Sequence, residues 1–171
     1  MHMGFIRHLG EVMSQRINYI QQCPELFKKY SDFNNAIKAG SLEPSLHILV
    51  TTRASQMNGC AFCLDMHVKE ARIQGESDLR VHHIAIWRES QLFSERERAA
   101  LAWTEVLTKI PEDGISDEIF DTVRAQFNEK ELSELTFSIM AINGWNRVNV
   151  AFRTPPGSAD KAFGLDKSGL S

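Results

Sequence analysis

Two cysteines separated by two residues, with a histidine four positions further on, form the most reactive grouping in this chain: Cys60-Ala61-Phe62-Cys63-Leu64-Asp65-Met66-His67. If the segment is helical and begins at Asn58 or Gly59, both accepted residues at an N-cap, then Cys60, Cys63 and His67 stand at i, i+3 and i+7 on one face. The sulfurs fall in the first turn, where unpaired backbone N–H groups and the helix dipole favour an anion. A thiolate forms there more readily than in water. A pair at this spacing can close a small disulfide, and the histidine can take or give the proton. That is the equipment of a redox-active thiol.

Two other readings of the same residues stay open. Cys60 and Cys63 could be buried apolar side chains, as free cysteines often are. Alternatively Cys60, Cys63 and His67 could be three zinc ligands, with His47, His82 or His83 as the fourth. Adjacent His82 and His83 are a poor substitute for the second ligand pair, because at ~100° per residue they cannot share a helix face. Heme attachment is excluded, since that motif needs histidine where Leu64 stands. Cys23, before Pro24, has no partner in sequence. Trp87, Trp103 and Trp145 read as core or subunit contacts, and Asp65, off the reactive face, reads as solvated.

The elements that must hold this segment are helices. A loosely helical pattern covers about 5–22. Pro24 opens a helix through Leu26, Phe27, Tyr30, Phe33 and Ile37 that stops at Gly40. Another starts at Ser41 or Pro44 and carries Leu46, Leu49, Val50, Arg53, Ala54 and Met57. The cysteine helix then runs to near Gly75, and a shorter one covers about 78–88. Ser94 with Glu97 forms a capping box ahead of Ala99, Trp103, Val106 and Ile110. Ser116 caps a helix expected to turn Ile119, Val123 and Phe127 inward. Asn128 with Glu131 opens the longest pattern, through Leu132, Leu135, Ile139, Ile142 and Asn146, ending before Pro155-Pro156-Gly157. Beyond Gly157 the residues are small and polar, and a mobile or partner-bound tail is expected. The fold class is all-α, on the strength of the 3.6-residue period, and a thioredoxin domain, which sets its C-x-x-C beside a βαβ unit, is excluded.

Composition narrows the setting. The 171 residues fit one domain, 1–171, long enough for a proper core. A net charge of -3 gives no case for nucleic acid or an anionic membrane surface as partner. No apolar run approaches the ~18 residues of a membrane span, and Met1–Gly10 has no signal-peptide pattern. Three cysteines are too few for a secreted disulfide framework, so a cytoplasmic location is expected, where a close cysteine pair is catalytic or metal-binding rather than structural.

The stretch Leu49-Val50-Thr51-Thr52-Arg53-Ala54-Ser55-Gln56-Met57-Asn58-Gly59, continuing through Cys60 to His67, strongly resembles the core motif of the AhpD-like alkylhydroperoxidases, within the carboxymuconolactone decarboxylase superfamily. Ala85–Ser90, Phe93–Glu105 and Ala141–Arg147 look like the same family. The resemblance spans about 16–157. The decarboxylase branch lacks the C-x-x-C pair, so the likeness points to the peroxidase-like branch. It implies an all-helical, AhpD-like fold, assembled as a homotrimer or a larger oligomer built from trimers. It also implies a thiol peroxidase that reduces hydroperoxides, with Cys63 as the peroxide-reactive cysteine, Cys60 as the resolving cysteine and His67 in the proton relay. A dithiol, protein or lipoyl-type, would regenerate the pair, and no metal or organic cofactor is required. The alternatives are a redox sensor or disulfide oxidoreductase using the same pair, or a lyase or isomerase of the decarboxylase branch. One position departs from the family pattern. The family carries glutamate twelve residues before the first cysteine, where this chain has Ile48, preceded by His47. Isoleucine cannot move a proton, so His47 or another group substitutes, or thiol activation is weaker.

Overall fold

The computed structural model describes residues 14–170. In chain order the helices are α1 (Tyr19–Gln22), α2 (Pro24–Lys38), α3 (Pro44–Asn58), α4 (Ala61–Ile73), α5 (Asp78–His83), α6 (Glu95–Thr108), α7 (Asp117–Arg124), α8 (Glu129–Phe152) and α9 (Asp160–Phe163). Two 3₁₀ turns, Ile84–Ile86 and Leu165–Ser168, complete the order, and there is no strand among the described residues.

The centre is α3, whose residues are apolar or small on nearly every side. Leu46, Ile48, Leu49, Val50, Thr51, Thr52, Ala54 and Ser55 are all buried. A helix apolar all round is surrounded by other elements, and α4, α6 and α8 supply them. Leu46 and Val50 meet Trp103, Val123, Phe127, Leu135 and Ile139 in the largest cluster, which ties α3 to α6, α7 and α8. Leu49 meets Ile84, Trp87, Phe93 and Leu101 in a second. The buried threonine and serine hydroxyls on α3 mostly stay inside the helix: Thr51 donates to the His47 carbonyl and Ser55 to the Thr51 carbonyl. On the outside of α8, Tyr30 of α2 lays its hydroxyl so close to Gly144 that a Cβ there would sit 1.9 Å from the oxygen. Only glycine permits that approach, and the same hydroxyl donates to the Ala141 carbonyl.

Most boundaries follow the sequence signals. Both capping boxes form, Ser94 with Glu97 and Asn128 with Glu131. Val123 and Phe127 are buried as expected, whereas Ile119 is exposed. Three stretches differ from expectation. Of the pattern over 5–22, residues up to 13 lie outside the described residues, and within the remainder only Tyr19–Gln22 is helical. The cysteine helix begins later than Asn58, because Gly59 adopts φ +63° and closes α3 as its left-handed C-cap. The tail beyond Gly157 forms α9 and the last 3₁₀ turn and lies back against α4, with Leu165 and Ser168 buried. No helix among the described residues is long and apolar enough to cross a membrane.

Candidate active site

The α3–α4 corner sets the cysteines. Once Gly59 has ended α3, the Cys60 amide turns back to the Ser55 carbonyl, 3.0 Å away. Cys60 is therefore the N-cap of α4, and its Sγ accepts from the Cys63 amide at 3.3 Å. The two sulfurs share a hydrogen bond of 2.7 Å, both cysteines are unbridged, and each is buried at 2% and 3% exposure. Either sulfur can hold the shared proton, but the geometry favours charge on Cys60. The Cys63 hydrogen bond lowers the Cys60 thiol against the opposing effect of burial, helped by the Cys63 amide and the Asn146 side chain. The Cys63 thiol is pushed up by that hydrogen bond, by burial and by the Cys60 charge. One proton is thus held between two sulfurs, and the pair titrates as a unit.

His67 lies one turn beyond Cys63 on α4, and its Nδ1 is 2.7 Å from Oε2 of Glu70. Burial pushes the Glu70 carboxyl up, but the His67 hydrogen bond and charge and the Lys38 ammonium outweigh it, holding Glu70 at about 2. Lys38 reaches the other carboxylate oxygen from α2 at 3.0 Å. A carboxylate therefore stands beside His67 although position 48 carries none. Ile48 itself is buried in an apolar cluster with Ala71 and Val81. His47 does not take over the relay by contact: its Nδ1 pairs with Ser138 Oγ at 2.9 Å. Lys38, His47, Ile48 and Glu70 line a cavity of about 210 Å³.

A buried amide network supports the corner. Asn58 Nδ2 donates to Oδ1 of both Asn143 and Asn146 at 2.9 Å, and Asn146 Nδ2 donates to Ser55 Oγ at 3.1 Å. These asparagines recur at i and i+3 on α8, a stripe that the apolar pattern of that helix concealed. An apolar cavity of about 560 Å³ is lined by Tyr19, Cys23, Phe27, Tyr30, Trp145 and Phe152. Cys23 is exposed. His83 pairs with Ser90 Oγ, and His82 is exposed. Asp65, read as solvated, instead accepts from Lys69 and from the Gly157 amide. Among the described residues no three His, Cys, Asp or Glu side chains form a group that could hold a metal ion, so the zinc arrangement does not assemble.

An all-helical chain with a paired-thiol corner on a central helix defines the class. The chain belongs to the carboxymuconolactone decarboxylase family, whose model matches residues 24–106, and within that superfamily it is AhpD-like. It is 39% identical over 139 residues to the uncharacterized protein YdfG of Bacillus subtilis, a match covering 81% of this chain and 95% of that protein. The uncharacterized protein YnjA of Escherichia coli is 36% identical over 152 residues, covering 87% and 82% of the two chains. A crystal structure of a protein of unknown function from Agrobacterium tumefaciens, suggested to be the antioxidant defence protein AhpD, superposes with a TM-score of 0.81 at 44% identity, covering 84% of this chain and 98% of that one. Membership of this family supports an antioxidant or related function at the family level.

Proposed function

We propose that the chain is a thiol-dependent peroxidase that cycles Cys60 and Cys63 between dithiol and disulfide. The observation that carries the reading is the pair of unbridged sulfurs 2.7 Å apart at the start of α4, one turn from a histidine held by a carboxylate. The proton between the sulfurs passes to Cys60, and the Cys63 thiolate attacks the outer oxygen of a hydroperoxide. The O–O bond breaks, Cys63 becomes a sulfenic acid, and the departing alkoxide or hydroxide takes a proton by way of His67, with Glu70 holding the ring. Cys60 then attacks the Cys63 sulfur; the S–O bond breaks, and water leaves as the disulfide forms. A dithiol, protein or lipoyl-type, returns the pair to its reduced state by exchange and carries the electrons away as its own disulfide. The cycle uses no metal and no organic cofactor.

The same reading treats 1–171 as one domain working in the cytoplasm as a homotrimer or larger homo-oligomer. Exposed Phe137 and Met140, one turn apart on α8, support self-association, since adjacent apolar side chains on a surface mark contact sites.

The test is turnover followed by mapping. A hydroperoxide with a dithiol should be consumed catalytically, and peptide mapping after one equivalent of peroxide should find Cys60 linked to Cys63 with Cys23 free. Cys63→Ser should abolish consumption. Cys60→Ser should allow a single round and leave a sulfenic acid on Cys63 that a dimedone-type probe labels. Disulfide formation without steady-state turnover would make the chain a redox sensor. Labelling of Cys60 in the Cys63→Ser protein would reverse the two roles.

A further inference from the structure

We infer that Asn149 is a catalytic residue of the thiol site, donating its side-chain amide to the Cys63 sulfur, and that Tyr19 is the positioning residue that orients it. The inference deepens the proposed function and rests on its reading of Cys63 as the reactive thiol. Asn149 lies near the end of α8 and is buried, at 3% exposure. Its Nδ2 is 2.9 Å from the Trp145 carbonyl and 3.6 Å from Cys63 Sγ, and its Oδ1 is 3.2 Å from the Tyr19 hydroxyl.

These three contacts fix which way the amide faces. A backbone carbonyl only accepts, so the atom facing Trp145 must be the NH₂ group. One of its two hydrogens goes to that carbonyl and the other points at Cys63. Oδ1 is left to accept, and Tyr19 donates to it. Burial, followed by the charge at Cys63, pushes the Tyr19 hydroxyl up to about 12, so it stays a donor across the working range of pH. Every polar atom of Asn149 is then satisfied, and a donor is aimed at the sulfur. A hydrogen bond to the charged form of a group favours that form, so the amide offsets part of the burial and charge that oppose a thiolate on Cys63. The same donor faces the developing negative charge as the sulfenic acid forms.

Tyr19 is itself held in place. Its ring stacks on Phe152 with centroids 5.9 Å apart. Arg16, three residues earlier, binds the end of α8 twice, through its amide to the Phe152 carbonyl at 2.9 Å and its guanidinium to the Ala151 carbonyl at 3.1 Å. The segment before α2 therefore completes the site from outside the cysteine motif.

The experiment uses a Cys23→Ser, Cys60→Ser background, in which Cys63 is the one remaining cysteine and titrates free of its partner. The rate of Cys63 alkylation by iodoacetamide is followed against pH, with and without Asn149→Leu, Tyr19→Phe or both, and a thermal melt checks that each variant is folded. Asn149→Leu should move the midpoint alkaline by about one unit, a loss of about tenfold at a pH below the midpoint. Tyr19→Phe keeps the ring and its stacking, so it should fold and lose about two- to threefold in the same direction. Added to Asn149→Leu it should change nothing further, because its hydroxyl acts through the amide. Superimposable profiles in a folded Asn149→Leu protein, or no change with Tyr19→Phe, overturn the inference, as does a Tyr19→Phe effect that persists undiminished without Asn149. Alkylation needs no peroxide, so a shifted profile in a protein that turns over no peroxide would sink the proposed function and with it the catalytic role of Asn149, while superimposable profiles in a protein that does turn over peroxide would overturn the inference alone.

Discussion

A carboxylate hydrogen-bonded to an imidazole fixes the ring's orientation and which ring nitrogen carries the proton. Glu70 has that position on His67, one turn further along the same helix. Its place three residues after His67 is legible as a helical i, i+3 neighbour, although the resemblance places the relay carboxylate at position 48 on α3. The physical reason is that a relay needs a carboxylate at a point in space, which either of two packed helices can supply. Glu70→Gln keeps the shape and removes the charge. It should slow peroxide consumption at neutral pH by ~10²-fold, the usual worth of a positioned proton-transfer group, while His47→Ala should have little effect on the rate. An unaltered rate in Glu70→Gln, with the protein folded, would remove Glu70 from the relay. The thiol pair was legible as chemistry, since spacing alone brought Cys60 and Cys63 together. The distribution of charge between them was not, because it depends on Cys60 standing at the N-cap rather than inside the helix.

At the scale of elements, the sequence read well where local chemistry decides and poorly where packing does. Capping boxes and first-turn prolines are local and set the starts of α2, α3, α6 and α8. The α3–α4 corner is local too, but Asn58-Gly59 served as a helix start in the reading and as a helix end in the fold. Glycine with φ +63° is the stronger signal of a stop. The pairing of His47 on α3 with Ser138 on α8 was not legible, because it needs the two helices in contact. Burial lowers His47 from 6.5 to about 4, assisted by Lys38 and His67 and opposed by Glu70. The folded state thus holds His47 neutral where the unfolded chain would protonate it. The sign follows: this group leaves stability unchanged above about pH 6.5, costs stability as pH falls from there to about 4, and adds no further loss below that. The full loss is on the order of 3 kcal/mol. Thermal melts of the parent and His47→Asn at pH 7.5 and 4.5 isolate it. The parent should lose several degrees more than the variant on acidification, and equal losses would show that His47 is free to protonate in place.

Over the whole molecule, the part least legible in composition is the C-terminal segment, whose small polar residues read as a tail. Three contacts that no local pattern announces bind it to the cysteine helix. Lys69 of α4 is 3% exposed and lies 2.8 Å from Asp65 and 2.7 Å from Asp160 of α9. The Gly157 amide donates to Asp65, and Ala159 packs against the cluster that contains Cys60 and Cys63. A buried ammonium that loses a carboxylate partner is left under-compensated, and breaking a buried pair costs ~3–5 kcal/mol when nothing replaces it. In Asp160→Asn the amide oxygen can still accept and Asp65 remains, so the cost should be smaller, ~1–2 kcal/mol. The loss should also be local, since the large core cluster of α3, α6, α7 and α8 contains no residue of α4 or α9. Hydrogen exchange followed by mass spectrometry reads both statements at once. In the parent, the α9 region and the following 3₁₀ turn should be protected, and in Asp160→Asn their exchange should accelerate about 5- to 30-fold, the factor that 1–2 kcal/mol of local opening sets, with α6 and α7 unchanged. Protection that is already absent in the parent would return this segment to the mobile tail its composition suggests. An acceleration spread evenly over every helix would show that Lys69 and Asp160 support the global fold rather than fastening one segment to the cysteine helix.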